Sequence, residues 1–146
     1  MIIDDIKHFL KAQIISCDET KKGQVIIMVA PDAIATAIPY LFKDKYLRFM
    51  TITGIDVRQY FELSYHFSDD GTGTIISIRT RLTDKSFPRI ASITHIIIGA
   101  NWIERELHEM LGIVFEGHPN LKHLLLSEDW PAGNFPLRQN GQSDGK

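Results

Sequence analysis

Between Tyr60 and Leu82 the chain changes character residue by residue. Phe61, Leu63, Tyr65 and Phe67 alternate with Glu62, Ser64 and His66, and Ile76, Ile78, Thr80 and Leu82 alternate with Ser77, Arg79 and Arg81. A period of two puts the apolar set on one face of a strand and the polar set on the other. The two segments therefore predict neighbouring strands with one buried and one wetted face, the mark of an antiparallel sheet. Asp69-Asp70-Gly71-Thr72-Gly73 between them has the composition of a hairpin connection. Such a sheet needs its apolar face covered, and helical patterns elsewhere in the chain can cover it. The fold class predicted is α+β: two layers, a mostly antiparallel sheet with helices on one face, and a long irregular C-terminal extension.

Those helical patterns begin at the N-terminus. Ile3, Ile6, Phe9 and Leu10 share a helical face, with Asp4 and Asp5 suited to a first turn. Residues 13–19 and 24–30 read as strands around the turn Thr20-Lys21-Lys22-Gly23, and 51–57 as a further strand. Pro31-Asp32 opens a helix reaching about Lys45, which Pro39 must kink or divide. At 146 residues the chain is long enough for one domain and too short for two.

Composition then excludes several classes of function. Apolar residues at 44% and charged residues at 23% are a globular balance, and a net charge of -2 offers no basic field to nucleic acid or anionic lipid. The apolar runs Val25 to Ala30 and Ile96 to Ala100 fall far short of the roughly 18 residues a membrane span needs. Asp4 and Asp5 stand where a secretion signal would carry Lys or Arg. A soluble chain is expected, with any membrane contact made through a partner. Cys17 is the single cysteine, so a disulfide framework and a four-thiolate iron–sulfur or zinc site are excluded.

From Ala100 the pattern predicts a helix to Leu111, closed by Gly112 as a left-handed cap. Ala100, Ile103, Leu107, Met110 and Leu111 form its apolar stripe. Glu104 and Glu106 point about 200° apart and so cannot act together on one bond. Glu104 with His108, and Arg105 with Glu109, have the spacing of ordinary helix ion pairs. Trp102, Glu106 and Glu109 share a further face, so this helix is expected to pack on several sides. A fully buried Trp102 ring would make its truncation cost about 3–5 kcal/mol. Beyond Gly112 lies a proline-broken stretch carrying Phe115, Leu121, Leu124, Leu125, Leu126, Trp130, Phe135 and Leu137. A stretch so apolar must lie on its own domain or on another protein. Residues 1–112 are therefore read as the core, 113–138 as an extended docking segment, and 139–146 as a polar, disordered tail.

Metal and nucleotide chemistry find little support. His108-Glu109 lacks the second histidine of HExxH because position 112 is glycine, and no phosphate-cradling glycine loop or Ser/His/Asp arrangement is evident. His118 and His123 stand among prolines and can simply cap loop carbonyls.

The run Ala100-Asn101-Trp102-Ile103-Glu104-Arg105-Glu106, followed by Gly112-Ile113, Phe115, Gly117-His118-Pro119, Leu121, Leu125, Glu128-Asp129-Trp130 and Pro136-Leu137-Arg138, resembles the 30-kDa subunit family of respiratory complex I and its membrane-bound hydrogenase relatives. Upstream, Thr53-Gly54-Ile55-Asp56 and Ser92-Ile93-Thr94 fit as well, so the likeness covers residues from about 45 to 138. It implies a separate hydrophilic subunit without catalytic residues, metal or cofactor of its own. The iron–sulfur clusters and the nickel–iron or quinone site would lie in partners, namely a hydrogenase-like large subunit and a small iron–sulfur subunit. The place implied is the cytoplasmic side of the cell membrane, reached through the complex. Glu104, Arg105, Glu106, His118, Pro119 and Arg138 would hold the C-terminal segment and present it to partners. Arg138 offers a bidentate donor to a carboxylate of this chain or of a neighbour. Its reversal would then weaken assembly and leave the isolated fold nearly intact.

Two departures bear on the type of complex. His108-Glu109 stands where complex I members usually have an aromatic residue and Asp; this version, like Leu124-Leu125-Leu126-Ser127-Glu128-Asp129-Trp130-Pro131, looks more like energy-converting [NiFe] hydrogenases. Gln139-Asn140 replaces the Lys-Asp-aromatic ending common in the family. Two alternatives remain open: a stand-alone binding or regulatory module of the same fold, and a small metal-dependent enzyme built on Glu104, His108, Glu109 and His118.

Overall fold

The structure, a computed structural model, describes residues 2–121 and 135–138. Helix α1 (Ile2–Leu10) buries Ile6 and Leu10, one turn apart, and keeps Asp4 and Asp5 in its first turn. Strand β1 (Ile14–Asp18) runs antiparallel to β2 (Gln24–Val29), with a register irregularity between Ile14 and Ser16. The Pro31 segment divides as its proline requires. A 3-10 turn (Pro31–Ala33) leads into α2 (Ile34–Pro39), and a π-helical turn (Tyr40–Asp44) follows. Pro39 has no N–H to give the ladder, and beyond it the backbone widens until Lys45 N–H reaches the Tyr40 carbonyl at 3.0 Å.

Strands β3 (Arg48–Asp56), β4 (Phe61–Asp69) and β5 (Thr74–Leu82) complete a five-stranded sheet in the order β1-β2-β5-β4-β3. The fold is α+β, and the sheet is mixed. β2 lies parallel to β5, pairing Gln24 with Ile75 and Met28 with Arg79. The hairpin patterns did not announce this join, because the connection between β2 and β5 carries α2, β3 and β4. A second, two-stranded sheet pairs β6 (Arg89–Ala91) in parallel with β7 (Val114–Glu116), and helix α3 (Ala100–Leu111) is the crossover between them.

The apolar set of β4 and β5 is buried as expected, whereas the opposite face, expected to be wetted, is largely covered as well. Phe61, Leu63, Tyr65, Phe67, Ile76 and Ile78 are fully buried. On the other face His66 Nδ1 pairs with Ser77 Oγ at 2.7 Å and its Nε2 with Thr53 Oγ1 at 3.0 Å, while Arg79 Nε donates to Ser64 Oγ at 3.2 Å. These polar residues interlock across strands, and Ser64 and Ser77 are themselves buried.

The chain forms two compact units. One comprises Met1–Thr53 with Ser64–Thr80, the other Gly54–Leu63 with Arg81–Lys146. In the first, Phe9 stacks on Tyr40 with ring centroids 3.8 Å apart, and Lys45 bonds to Asp5. The second is organised by α3.

Candidate functional site

Helix α3 is fixed at both ends by residues far from it in sequence. Near its start, Glu104 is completely buried. Its Oε1 accepts hydrogen bonds from Ser92 Oγ at 2.5 Å and Thr94 Oγ1 at 2.7 Å, and its Oε2 accepts one from Ile93 N–H at 2.8 Å. All three donors are neutral, so the carboxylate is solvated by the Ser92-Ile93-Thr94 turn where water would otherwise do it. Ser92 N–H in turn donates to Glu116 O at 2.8 Å, tying the turn to the end of β7. The expected Glu104–His108 pair is not formed, because both groups are engaged elsewhere. His108 Nδ1 lies 2.9 Å from the Ile113 carbonyl.

His118 bridges β7 back to the helix. Its Nδ1 accepts from Asn120 N–H at 2.9 Å, which leaves Nε2 to carry the proton and donate to Asn101 O at 3.2 Å. Pro119 stands exposed between His118 and Asn120.

At the other end Gly112 has φ +82° and closes α3 in the left-handed conformation, its N–H on His108 O at 2.9 Å. A side chain here would also collide, since a Cβ would sit 2.6 Å from Arg138 Nη2 and from Phe135 Cε2. The space left by glycine is filled by Phe135-Pro136-Leu137-Arg138. Leu137 N–H donates to Met110 O at 3.0 Å, and Arg138 Nε to Leu111 O at 2.7 Å. Two of the carbonyls that a helix end leaves open are thus capped, one of them by a cation.

The Arg138 guanidinium also lies over two rings, 4.5 Å from the Phe135 centroid and 5.1 Å from that of Phe61. Partial burial pulls its pKa down and the nearby Asp56 carboxylate pushes it up. Asp56 itself is buried, takes Lys85 Nζ, and accepts from Arg58 N–H at 3.0 Å. Gly54, two residues earlier, is where α3 meets β3. A Cβ there would be 2.8 Å from Leu107 Cδ2 and 3.1 Å from Leu63 Cδ2. Gly54, Asp56 and Arg138, remote in sequence, are therefore brought together around α3.

Two expectations need correction. Trp102 is 62% exposed, so the condition of full burial under which its truncation would cost several kcal/mol is not met. The face shared by Trp102, Glu106 and Glu109 is split along its length: Trp102 and Glu106 are exposed near the start of the helix, whereas Glu109 is buried near its end. Arg138, for its part, meets a main-chain carbonyl of its own chain, so its reversal is no longer expected to spare the isolated fold. Asp129 and Trp130 lie outside the described residues, as do the Leu124–Pro131 motif and the tail 139–146. Arg105 places its guanidinium 5.5 Å from the Trp102 ring centroid. Sequence reading put Phe61 on the buried face of its strand but linked neither it nor Lys85 to Arg138, because those contacts depend on tertiary folding. Among the described residues no group of three His, Cys, Asp or Glu is arranged to hold a metal ion.

Residues 27–146 match the family described as respiratory-chain NADH dehydrogenase, 30 Kd subunit. The chain belongs to this family. The match begins well before residue 45, where the motif resemblance starts. Among curated relatives, an NADH-quinone oxidoreductase subunit of Ruegeria pomeroyi is 32% identical over 129 residues, which is 84% of this chain and 62% of that protein. Its counterpart in Jannaschia sp. is 30% identical over 90% of this chain and 65% of its own length. That of Roseiflexus sp. is 33% identical over 82% of this chain and 70% of its own. The chain thus spans a little under two thirds of the first two relatives.

Two solved structures share the fold of this 30 Kd family member. A chain of the membrane-bound sulfane sulfur reductase, an archaeal respiratory membrane complex, superposes with a TM-score of 0.80 at 23% identity over 94% of this chain and 81% of that one. A trypsin-resistant fragment of Nqo5 gives 0.68 at 21% identity, over 82% of this chain and 96% of the fragment.

Proposed function

We propose that the chain is a docking subunit, without cofactor of its own, in the peripheral arm of a membrane-associated, ion-translocating oxidoreductase. It would bind a hydrogenase-like large subunit and a small iron–sulfur subunit on the cytoplasmic side of the membrane. Family membership supports the reading. One structural observation carries it. The groups that could have done chemistry are spent on holding α3 in place, Glu104 on the Ser92-Ile93-Thr94 turn and Arg138 on Leu111, while large apolar side chains beside them face outward. Positioning, rather than reaction, suits such an arrangement. Among the described residues no helix is long and apolar enough to cross a membrane, so membrane association would run through the partners.

As to type, the relatives named above carry the NADH-quinone oxidoreductase name, whereas His108-Glu109 and the Leu124–Pro131 motif favour the energy-converting hydrogenase version. The large subunit would tell them apart, because it holds either nickel–iron ligands or a quinone pocket. The test is purification of the tagged chain from its own membranes, with mass spectrometry of what accompanies it. A large hydrogenase-like subunit and a small iron–sulfur subunit are expected at equal stoichiometry; their absence overturns the proposal.

A further inference from the structure

Phe135-Pro136-Leu137-Arg138 holds its own shape. Arg138 N–H donates to Phe135 O at 3.2 Å and closes a four-residue turn, with Pro136 at the second position, where its fixed φ suits such a turn. Pro136 and Leu137 are exposed, while the first and last side chains converge on one point. A Cβ built at Gly112 would lie 2.6 Å from both Arg138 Nη2 and Phe135 Cε2. The surface that receives them is set by α3 and β4. Gly112 leaves the gap, Met110 O accepts from Leu137 N–H at 3.0 Å, and Leu111 O accepts from Arg138 Nε at 2.7 Å. The buried Phe61 ring of β4 lies 5.1 Å from the guanidinium. A turn held by its own hydrogen bond and its own proline meets a fixed surface through two side chains and two bonds. Those are the dimensions of a short-peptide site.

We infer that the C-terminal end of α3 is a recognition site for a peptide turn of the form aromatic-Pro-X-Arg, occupied here by Phe135–Arg138 and able to take the same sequence as a free peptide. The preformed turn pays little ordering entropy on seating. The arginine is specific: a planar guanidinium can donate to the Leu111 carbonyl and still lie over the Phe61 and Phe135 rings, whereas a compact ammonium cannot match both. The inference goes beyond the docking reading and does not depend on it, since it concerns this chain alone.

The experiment uses the full chain carrying Phe135→Ala and Arg138→Ala together, and a fluorescent peptide with the sequence of residues 133–140, followed by anisotropy. The peptide is expected to bind the double variant saturably and to bind wild type, whose site is already filled, at least about 10-fold more weakly. Peptides with Lys in place of Arg138, or Ala in place of Phe135, should also bind the double variant about 10-fold more weakly. A second measurement keeps the cis turn and reads the wild-type chain with 4-fluorophenylalanine at position 135. Its fluorine resonance should stand apart from that of the same residue in the free peptide, and Arg138→Lys should move it towards the free position. No binding to a folded double variant, equal binding to wild type, or a lysine peptide as good as the arginine peptide overturns the inference. So does a fluorine resonance that coincides with the free peptide or stays put in Arg138→Lys, and this measurement decides alone if the double variant does not fold. Partner capture by the wild-type chain is untouched by any of these outcomes, so the docking reading stands or falls separately.

Discussion

The Nε of Arg138 donates to the carbonyl oxygen of Leu111 at 2.7 Å, across 27 residues of chain. The bond closes the C-terminal end of α3 with a cation, where the helix concentrates partial negative charge, and Phe135 seals it from the side. One glycine makes this possible. Gly112 supplies both the left-handed backbone and the room that the two side chains fill.

Gly112→Ala is therefore expected to cost about 2 kcal/mol or more, from left-handed strain together with displacement of Phe135 and Arg138. Arg138→Ala should cost about 1–3 kcal/mol, the range for a hydrogen bond made by a charged group. Urea unfolding of the isolated chain measures both. If Arg138→Ala and Arg138→Glu leave the midpoint unchanged, the Leu111 contact contributes nothing.

Glu104→Gln should destabilise the chain by about 1–3 kcal/mol even though volume is kept. An amide cannot accept from three donors with both of its ends, so either Ile93 N–H or the two hydroxyls lose their acceptor. Hydrogen exchange should locate the effect, with faster exchange at Ile93 and Thr94 and little change in β1. Uniform acceleration along the chain would contradict the assignment.

Much of this geometry could be read beforehand, and the parts that could not share a cause. The span of α3, its glycine cap and the two faces of β4 and β5 follow from periodicity within a dozen residues. The parallel pairing of β2 with β5 and of β6 with β7 depends on partners dozens of residues away, and strands of three residues carry no period at all. Glu104 looked like half of a surface pair because its true partners, Ser92 and Thr94, are brought in by tertiary folding. Whether the Trp102 ring is covered is not set by helix periodicity, because Trp is an amphipathic residue found in both settings. The family resemblance had marked Ser92, Gly54 and Arg138, but only the structure shows what each of them touches.

The exposure of Trp102 sets its energetics. Trp102→Ala should shift the stability of the isolated chain by about 0.5 kcal/mol or less, the range of an ordinary surface substitution, against the several kcal/mol of a buried ring. Thermal or urea unfolding decides between the two. A large loss would mean that the ring is covered in solution.

His66 gives the fold a pH dependence. Burial, and secondarily the charge of Arg79, hold its pKa below the ordinary 6.5. Below 6.5 the unfolded chain takes up a proton that the folded chain still refuses, so the unfolded state binds more protons there. Stability from the neutral ring is then complete above 6.5 and drains away as pH falls towards the folded-state value. Wild type should lose more stability between pH 7 and pH 5 than His66→Gln. Parallel curves for the two proteins would show that His66 does not titrate in this way.

The central claim is that this chain matters by holding other subunits in position. Its most direct test is the size and electron-transfer rate of the membrane complex in cells lacking the chain, read on native gels and restored with wild-type protein. Without the chain, the large and iron–sulfur subunits should fail to reach the full-size complex and the rate should collapse, both returning on complementation. A complex of full size and undiminished rate in its absence would contradict the claim.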